Sequence, residues 1–409
     1  MTWHLLQISD VLDIAFGTAL AERVPLLSWE PVRTFMPGVN PGMLSAVREI
    51  IDPPLEVQRF PLMRGYARFP WSVLARTGAA VSARLLRKTA DPGNSPLICT
   101  IPYFAAVAER WPGPVIYWLT DLIESYGGAD SATVRRLDQR MCRAATLVCP
   151  NSQRLARYLM DHAQCPESKI RVLPNATRAS NLLPSPPHGP AQLPQDIADL
   201  KRPIAGIIGN LAGNMDWVLL EELVARCAGV NWAFIGPTSM AITDRAHSRA
   251  RQHVMQLPNV RFAGPKPYGE LAGYARAFDV AVLPYLRSEP TYSGSSTRFY
   301  EHLAACRPMV ATPGLEELTR KVPLLRLIET AEQAAEAIAD LEAIGFDDGL
   351  TTARWEESQN GTWQARAAQM QEELSAMWRP LAGARTSDPG HGRKHIRNGR
   401  GATLKQRRL

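Results

Sequence analysis

The chain has 409 residues, 45% of them hydrophobic, which at roughly 150 residues per domain suits two or three domains with a sizeable core in each. Disorder throughout, a collagen-like repeat and a small disulfide scaffold are excluded. The formal net charge of +7 is carried by residues 381–409, where eight basic residues stand against Asp388 alone. The remainder is electrically balanced and gives no reason to bind nucleic acid, whereas a basic tail suits a phosphate polymer or an anionic membrane surface.

The N-terminus lacks a positive leader ahead of an apolar stretch, and no window approaches 18 uninterrupted apolar residues, so a cytoplasmic protein that does not span a membrane is expected. Apolar runs at Leu5–Ile8, Pro25–Leu27, Leu97–Ile101, Val115–Leu119 and Leu147–Cys149 read as strands. Helices are predicted over Phe16–Glu22, Ser131–Ala145 and Ser152–Asp161, the last capped by Asn151 or Ser152. Residues Trp71–Lys88 read as amphipathic, with Trp71, Leu74, Gly78, Val81 and Leu85 on one side and Arg76, Arg84, Arg87 and Lys88 elsewhere. Such a segment either covers the core of the first domain or docks on an anionic membrane.

Pro184, Pro186, Pro187 and Pro190 fall close together between Leu182 and Leu193 and mark a linker, since proline cannot donate to a ladder and restricts its predecessor. Beyond it, Ile204–Ile208, Trp232–Ile235, Val260–Phe262, Val280–Leu283 and Met309–Ala311 read as buried strands. They alternate with helical periods at Asp216–Cys227, Tyr268–Ala277 and Ser296–Cys306, and that alternation implies a parallel, doubly wound sheet. Thr362–Trp378 has helical spacing at Trp363, Ala367, Met370 and Leu374. The expected organisation is a first Rossmann-like domain over 1–180, a linker over 181–202, a second Rossmann-like domain over 203–361, a helix over 362–380 and a disordered basic tail over 381–409. The fold class is α/β, two Rossmann-like doubly wound domains facing a cleft, with ligands at the carboxyl ends of the strands.

The six cysteines (Cys99, Cys142, Cys149, Cys165, Cys227, Cys306) form no Cys-x-x-Cys pair; reduced, buried thiols are expected, and no metal site. The chemistry concentrates after Pro284. Gly294-Ser295-Ser296 opens a helix whose first amides are unpaired, a seat for phosphate. Phe299, Leu303 and Cys306 fall on its buried side, and Arg298 and Glu301 share another. The helix thus offers amides and a guanidinium to a diphosphate, and a carboxylate to sugar hydroxyls.

At these residues the sequence resembles the GT-B glycosyltransferases of the group 1 type. The resemblance rests on Ser295–Thr312, on Phe278–Tyr285 before it, on Gly206–Leu211, Phe234–Pro237, Val260–Pro265 followed by Tyr268–Leu271, and on Val172–Ala176. In the first half it is looser, through Ile101–Tyr103, Tyr117–Asp121 and Ala144–Ser152. It implies a metal-independent transferase that needs no cofactor, takes a nucleotide-sugar donor, and delivers to a saccharide, lipid-linked or small-molecule acceptor, in surface polysaccharide or glycolipid assembly. It places the acceptor in the first domain, the donor in the second, and Glu301 on the ribose. The family's commoner pattern has a second Glu eight residues earlier, where Ser293 stands here, with Glu289 displaced. Where many relatives carry Arg or Lys after the first donor-domain strand, this chain has Asn210, Asn214 and Asp216, so the diphosphate falls to Arg298, with Lys266 or Arg287 as helpers.

An inverting reaction needs a general base on the acceptor side, and Asp121 is the leading candidate, with Asp10 and Asp13 in reserve, either of which is also readable as a helix cap. Glu301 paired only with Arg298 on the surface would contribute little. His302 reads as a structural histidine. Gly209 and Gly236 read as turn glycines that let a nucleotide approach. Two rival functions remain: a nucleotide-sugar 2-epimerase on the same fold, and a non-catalytic nucleic-acid binder acting through the tail, which the neutral body and the lack of aromatic residues among the tail's arginines disfavour.

Overall fold

A computed structural model describes residues 1–6, 11–33, 57–62, 73–88, 93–126 and 130–378. The basic tail, Trp71 and Asp10 lie outside the described residues. Among them the strands form two sheets of six, parallel throughout. The first contains β1 (Trp3–Leu6), β2 (Leu26–Arg33), β3 (Val57–Leu62), β4 (Leu97–Cys99), β5 (Val115–Leu119) and β6 (Leu147–Pro150), in the order β3-β2-β1-β4-β5-β6. The second contains β7 (Ile204–Ile208), β8 (Asn231–Ile235), β9 (Val260–Gly264), β10 (Val280–Leu283), β11 (Met309–Ala311) and β12 (Arg326–Leu327), in the order β12-β11-β10-β7-β8-β9. Read from the far edge, the second order repeats the first. In each sheet the chain reverses direction of growth between its first and fourth strands, which is where an open parallel sheet opens a crevice at its carboxyl edge.

The strands match their composition. β5, β6, β7 and β10 are buried along their whole length, as continuous apolar runs covered by helices on both faces should be. The expected strands are present, most within a residue or two of the expected limits. β3 and β12 were not anticipated: β3 includes Arg59 and Pro61, and β12 is two half-buried residues at an edge, so neither carries an apolar run.

The helix Trp363–Met377 buries Trp363, Ala367, Met370 and Leu374, its expected face. That face packs on the first sheet's side of the molecule, in one core cluster with Phe16 and Trp118. The Phe16 and Trp118 rings are 4.3 Å apart, and Trp118 and Trp363 meet edge to face at 6.4 Å. The helix Trp363–Met377 thus packs on the lobe that contains β1. All six cysteines are buried and free, and among the described residues no helix is long and apolar enough to cross a membrane.

Candidate active site

A cleft cavity of about 310 Å³ lies between the two sheets' carboxyl ends. From the first lobe it receives Leu12, Thr120, Asp121 and Asn175. From the second come Gly209 and Asn210 after β7, Tyr285 after β10, Tyr268, and Gly294, Ser295, Thr297, Arg298 and Glu301 around the 297–305 helix. Its size falls in the range of small-molecule sites.

The helix Thr297–Ala305 begins where Ser296 Oγ accepts from the Phe299 amide at 3.0 Å. Tyr285 OH and Ser296 Oγ are 2.8 Å apart, which ties this cap to the end of β10. Ser296 is therefore spent on capping and does not line the cavity. Its amide donates to Glu317 Oε2 at 2.8 Å, Ser295 Oγ donates to the same oxygen at 2.8 Å, and Tyr300 OH donates to Glu317 Oε1 at 2.6 Å. The expected phosphate seat already holds one internal carboxylate, a residue that sequence reasoning missed.

Arg298 is 7% exposed. Its Nε donates to the Ile208 carbonyl at 2.7 Å and its Nη2 to that of Asn210, so the guanidinium lies along the end of β7. Nη1 has no partner among the described residues, and the Tyr285 ring lies 5.0 Å from the guanidinium carbon. Gly209 makes this possible: at φ +111° a Cβ there would stand 2.8 Å from Arg298 Nε.

Glu301, 4% exposed, is not the surface partner of Arg298. Oε1 accepts from Tyr268 OH at 2.6 Å and Oε2 from Asn181 Nδ2 at 2.9 Å. Burial pushes its carboxyl up; hydrogen bonds from Tyr268, Thr177 and Asn181 and the nearby Arg178 oppose that. His302, beside it, is fully buried with both ring nitrogens unpartnered among the described residues. Burial first, then the charge of Arg298, hold it down to about 3, so it stays neutral.

On the opposite wall Asp121 follows β5 and receives a hydrogen bond from Thr120 Oγ1 at 3.3 Å. Seven expected residues therefore line one cavity: Asp121, Gly209, Asn210, Gly294, Ser295, Arg298 and Glu301. Others lie elsewhere. Asp13 is buried in the first turn of the Val11–Ala21 helix and is not a lining residue. Lys266 pairs with Asp196 at 2.7 Å, beside a different pocket. Glu289 pairs with Arg154 of the first lobe at 2.6 Å. Gly236, at φ +149°, makes room for the Gly209 carbonyl, which a Cβ would meet at 1.9 Å, and its absent side chain faces backbone. Among the described residues no group of three or more His, Cys, Asp or Glu is placed to hold a metal.

No protein-family model matches the chain. A 110-residue stretch is 26% identical to TuaH of Bacillus subtilis (strain 168), provisionally named a teichuronic acid biosynthesis glycosyltransferase. The match spans 27% of this chain and about a quarter of that relative's length, 26%. Among solved structures, Anabaena HepE in complex with UDP-glucose superimposes with a TM-score of 0.66 at 16% identity, over 92% of this chain and 100% of that one. Sucrose-phosphate synthase from Thermosynechococcus elongatus gives 0.64 at 16% identity, over 92% and 99%. At such identities these likenesses establish the fold, which is GT-B: two Rossmann-like lobes about a cleft.

Proposed function

We propose that the chain is a glycosyltransferase that moves a sugar from a nucleotide-sugar donor to an acceptor hydroxyl. One observation carries the reading: a single cavity joins a buried cation and a buried carboxylate on one helix, Arg298 and Glu301, to a carboxylate on the facing lobe, Asp121. In this reading Glu301 accepts from the ribose hydroxyls. Arg298 Nη1 and the amides of Thr297 and Arg298 meet the diphosphate, and Asp121 takes the proton from the attacking hydroxyl. The UDP-glucose complex of HepE and the name of TuaH support the donor class and a role in surface polysaccharide assembly.

The leaving diphosphate's charge is assigned to Arg298 and the helix amides rather than to a cation, and activity that survives chelation by EDTA checks that assignment. The reaction itself is tested by incubating the protein with a panel of UDP-, GDP- and ADP-sugars and following release of the nucleoside diphosphate. Release from at least one donor, abolished in Glu301→Ala, is the expected result; no release and no binding across the panel overturns the reading.

We also place the protein on the cytoplasmic face of an anionic membrane, reaching a lipid-linked acceptor. Support comes from the helix Val73–Arg87, where Val81 is 48% and Leu85 37% exposed beside exposed Arg84, Arg87 and Lys88. Exposed aliphatics among cations suit an anionic lipid surface. Sedimentation with vesicles containing phosphatidylglycerol, weakened in Val81→Glu/Leu85→Glu and in a chain ending before Leu381, is expected. Wild-type protein left wholly in the supernatant contradicts the placement.

A further inference from the structure

The two carboxyl-end walls of the cavity are joined by a short run of hydrogen bonds through two buried asparagines. Asn151, at the end of β6, is 1% exposed and Asn175 is 4% exposed. Asn151 Nδ2 donates to the carbonyl of Thr120 at 2.6 Å, immediately before Asp121, and to Asn175 Oδ1 at 3.4 Å. Asn175 Nδ2 donates in turn to the Ser295 carbonyl at 2.9 Å and to Thr297 Oγ1 at 3.2 Å, and its amide donates to Ser295 Oγ at 3.0 Å. The path thus starts at the residue preceding the acceptor-side carboxylate and ends at the first residue of the helix that carries Arg298 and Glu301.

The arrangement is costly in one respect. Asn151 Oδ1 is buried with no partner among the described residues, and a buried acceptor left without a hydrogen bond carries its desolvation penalty uncompensated. A side chain kept only to fill that space would need no amide. What the amide supplies is its Nδ2, whose hydrogens reach the Thr120 carbonyl and Asn175 Oδ1, and Asn175 carries the path across to the second lobe; local departures from polar satisfaction of this kind gather at functional sites.

Resting on the transferase reading above, we infer that Asn151 and Asn175 are positioning residues that set the separation between the Asp121 carboxylate and the donor-binding helix. Asn151 holds the loop bearing Asp121 through the Thr120 carbonyl, and Asn175 holds the start of the 297–305 helix. Neither needs to touch the reacting atoms. A base displaced by an ångström loses rate while the donor still binds, because ribose and diphosphate contacts belong to the second lobe alone.

The test uses the full-length protein and hydrolysis of whichever nucleotide sugar the wild type turns over, with water as acceptor. Asn151→Ala and Asn175→Ala are each expected to lower kcat at least tenfold, with KM for the nucleotide sugar and Kd for its nucleoside diphosphate within threefold of wild type. The double variant should be no slower than the slower single one, since the two act in series. Circular dichroism melting identifies the folded variants, and if one fails to fold, the kcat and KM of the other decide. A folded variant that keeps kcat within twofold, or that raises KM in step with the fall in kcat, overturns the inference. A wild type that turns over no member of the donor panel defeats the transferase reading instead, so the two failures are distinct.

Discussion

The hydroxyl of Tyr268 donates to Oε1 of Glu301 across 2.6 Å, and both side chains are buried. The bond ties the loop after β9 to the helix that follows β10, and it holds in place the carboxylate assigned to the ribose. Tyr268→Phe leaves that oxygen without its donor, and a loss of about 1–3 kcal/mol in unfolding free energy is expected from denaturant titration. The carboxyl of Glu301 already lies above its ordinary value of 4.5 because of burial. The native chain therefore keeps a proton that the unfolded chain releases, so this group's contribution to stability is greatest below 4.5 and is lost as pH rises through the raised value. Removing the Tyr268 donor should carry that loss to higher pH, and Glu301→Gln should remove it.

A second buried carboxylate gives a cleaner pH signature because it lies away from the cleft. Tyr117 OH donates to Asp138 Oδ1 at 2.6 Å and Tyr158 OH to Oδ2 at 2.9 Å, yet burial outweighs both and pushes the acid from 3.8 up to about 7. Proton uptake in the native state again means stability that is present below 3.8 and declines as pH climbs toward 7. The stability difference between wild type and Asp138→Asn should therefore fall across that interval when thermal melts are compared at successive pH values, and a flat difference would contradict it.

Glu317 competes electrostatically with any phosphate at the 297–305 helix. Gln at that position keeps an acceptor for part of the Ser295, Ser296 and Tyr300 set and removes one negative charge from the positive end of the helix dipole. Charges so placed are worth about 0.3–1 kcal/mol, up to ~2 when partly buried. Glu317→Gln should tighten nucleoside diphosphate binding by several-fold, read by calorimetry; weaker binding would show that the carboxylate supports the ligand.

Asp121 and Glu289 should separate sharply. Asp121→Asn is expected to reduce turnover on the order of 100-fold or more while donor affinity stays close to wild type, as for loss of a general base. Glu289→Ala removes an exposed inter-lobe ion pair with Arg154, worth about 0–1 kcal/mol, and a long hydrogen bond from Ser293 Oγ at 3.4 Å, and should leave donor affinity unchanged in titrations at physiological salt.

Much of this arrangement was legible in the sequence because the relevant signals are local. The run Val280–Leu283, the polar loop after it and the cap at Ser296 are contiguous, so strand, turn and helix start could be read together; helical spacing put Arg298 and Glu301 on one side, and the family resemblance singled out Glu301. The partners were not legible, because they are remote. Asn181 meets Glu301 across 120 residues and Tyr268 across 33, and nothing local marks Glu317 as the carboxylate that enters the helix start. Lys266 and Glu289 have the right charge and stand near the right segments, but each is claimed by an ion pair, with Asp196 and Arg154 respectively.

Calorimetric titration of UDP, GDP and ADP into wild type, Arg298→Ala and Glu301→Ala bears most directly on the proposed donor site. Saturable one-to-one binding of at least one nucleotide to the wild type, weakened at least tenfold in both variants, is what the arrangement of that helix demands. Wild-type binding that neither substitution weakens, or no binding of any nucleotide, would contradict it.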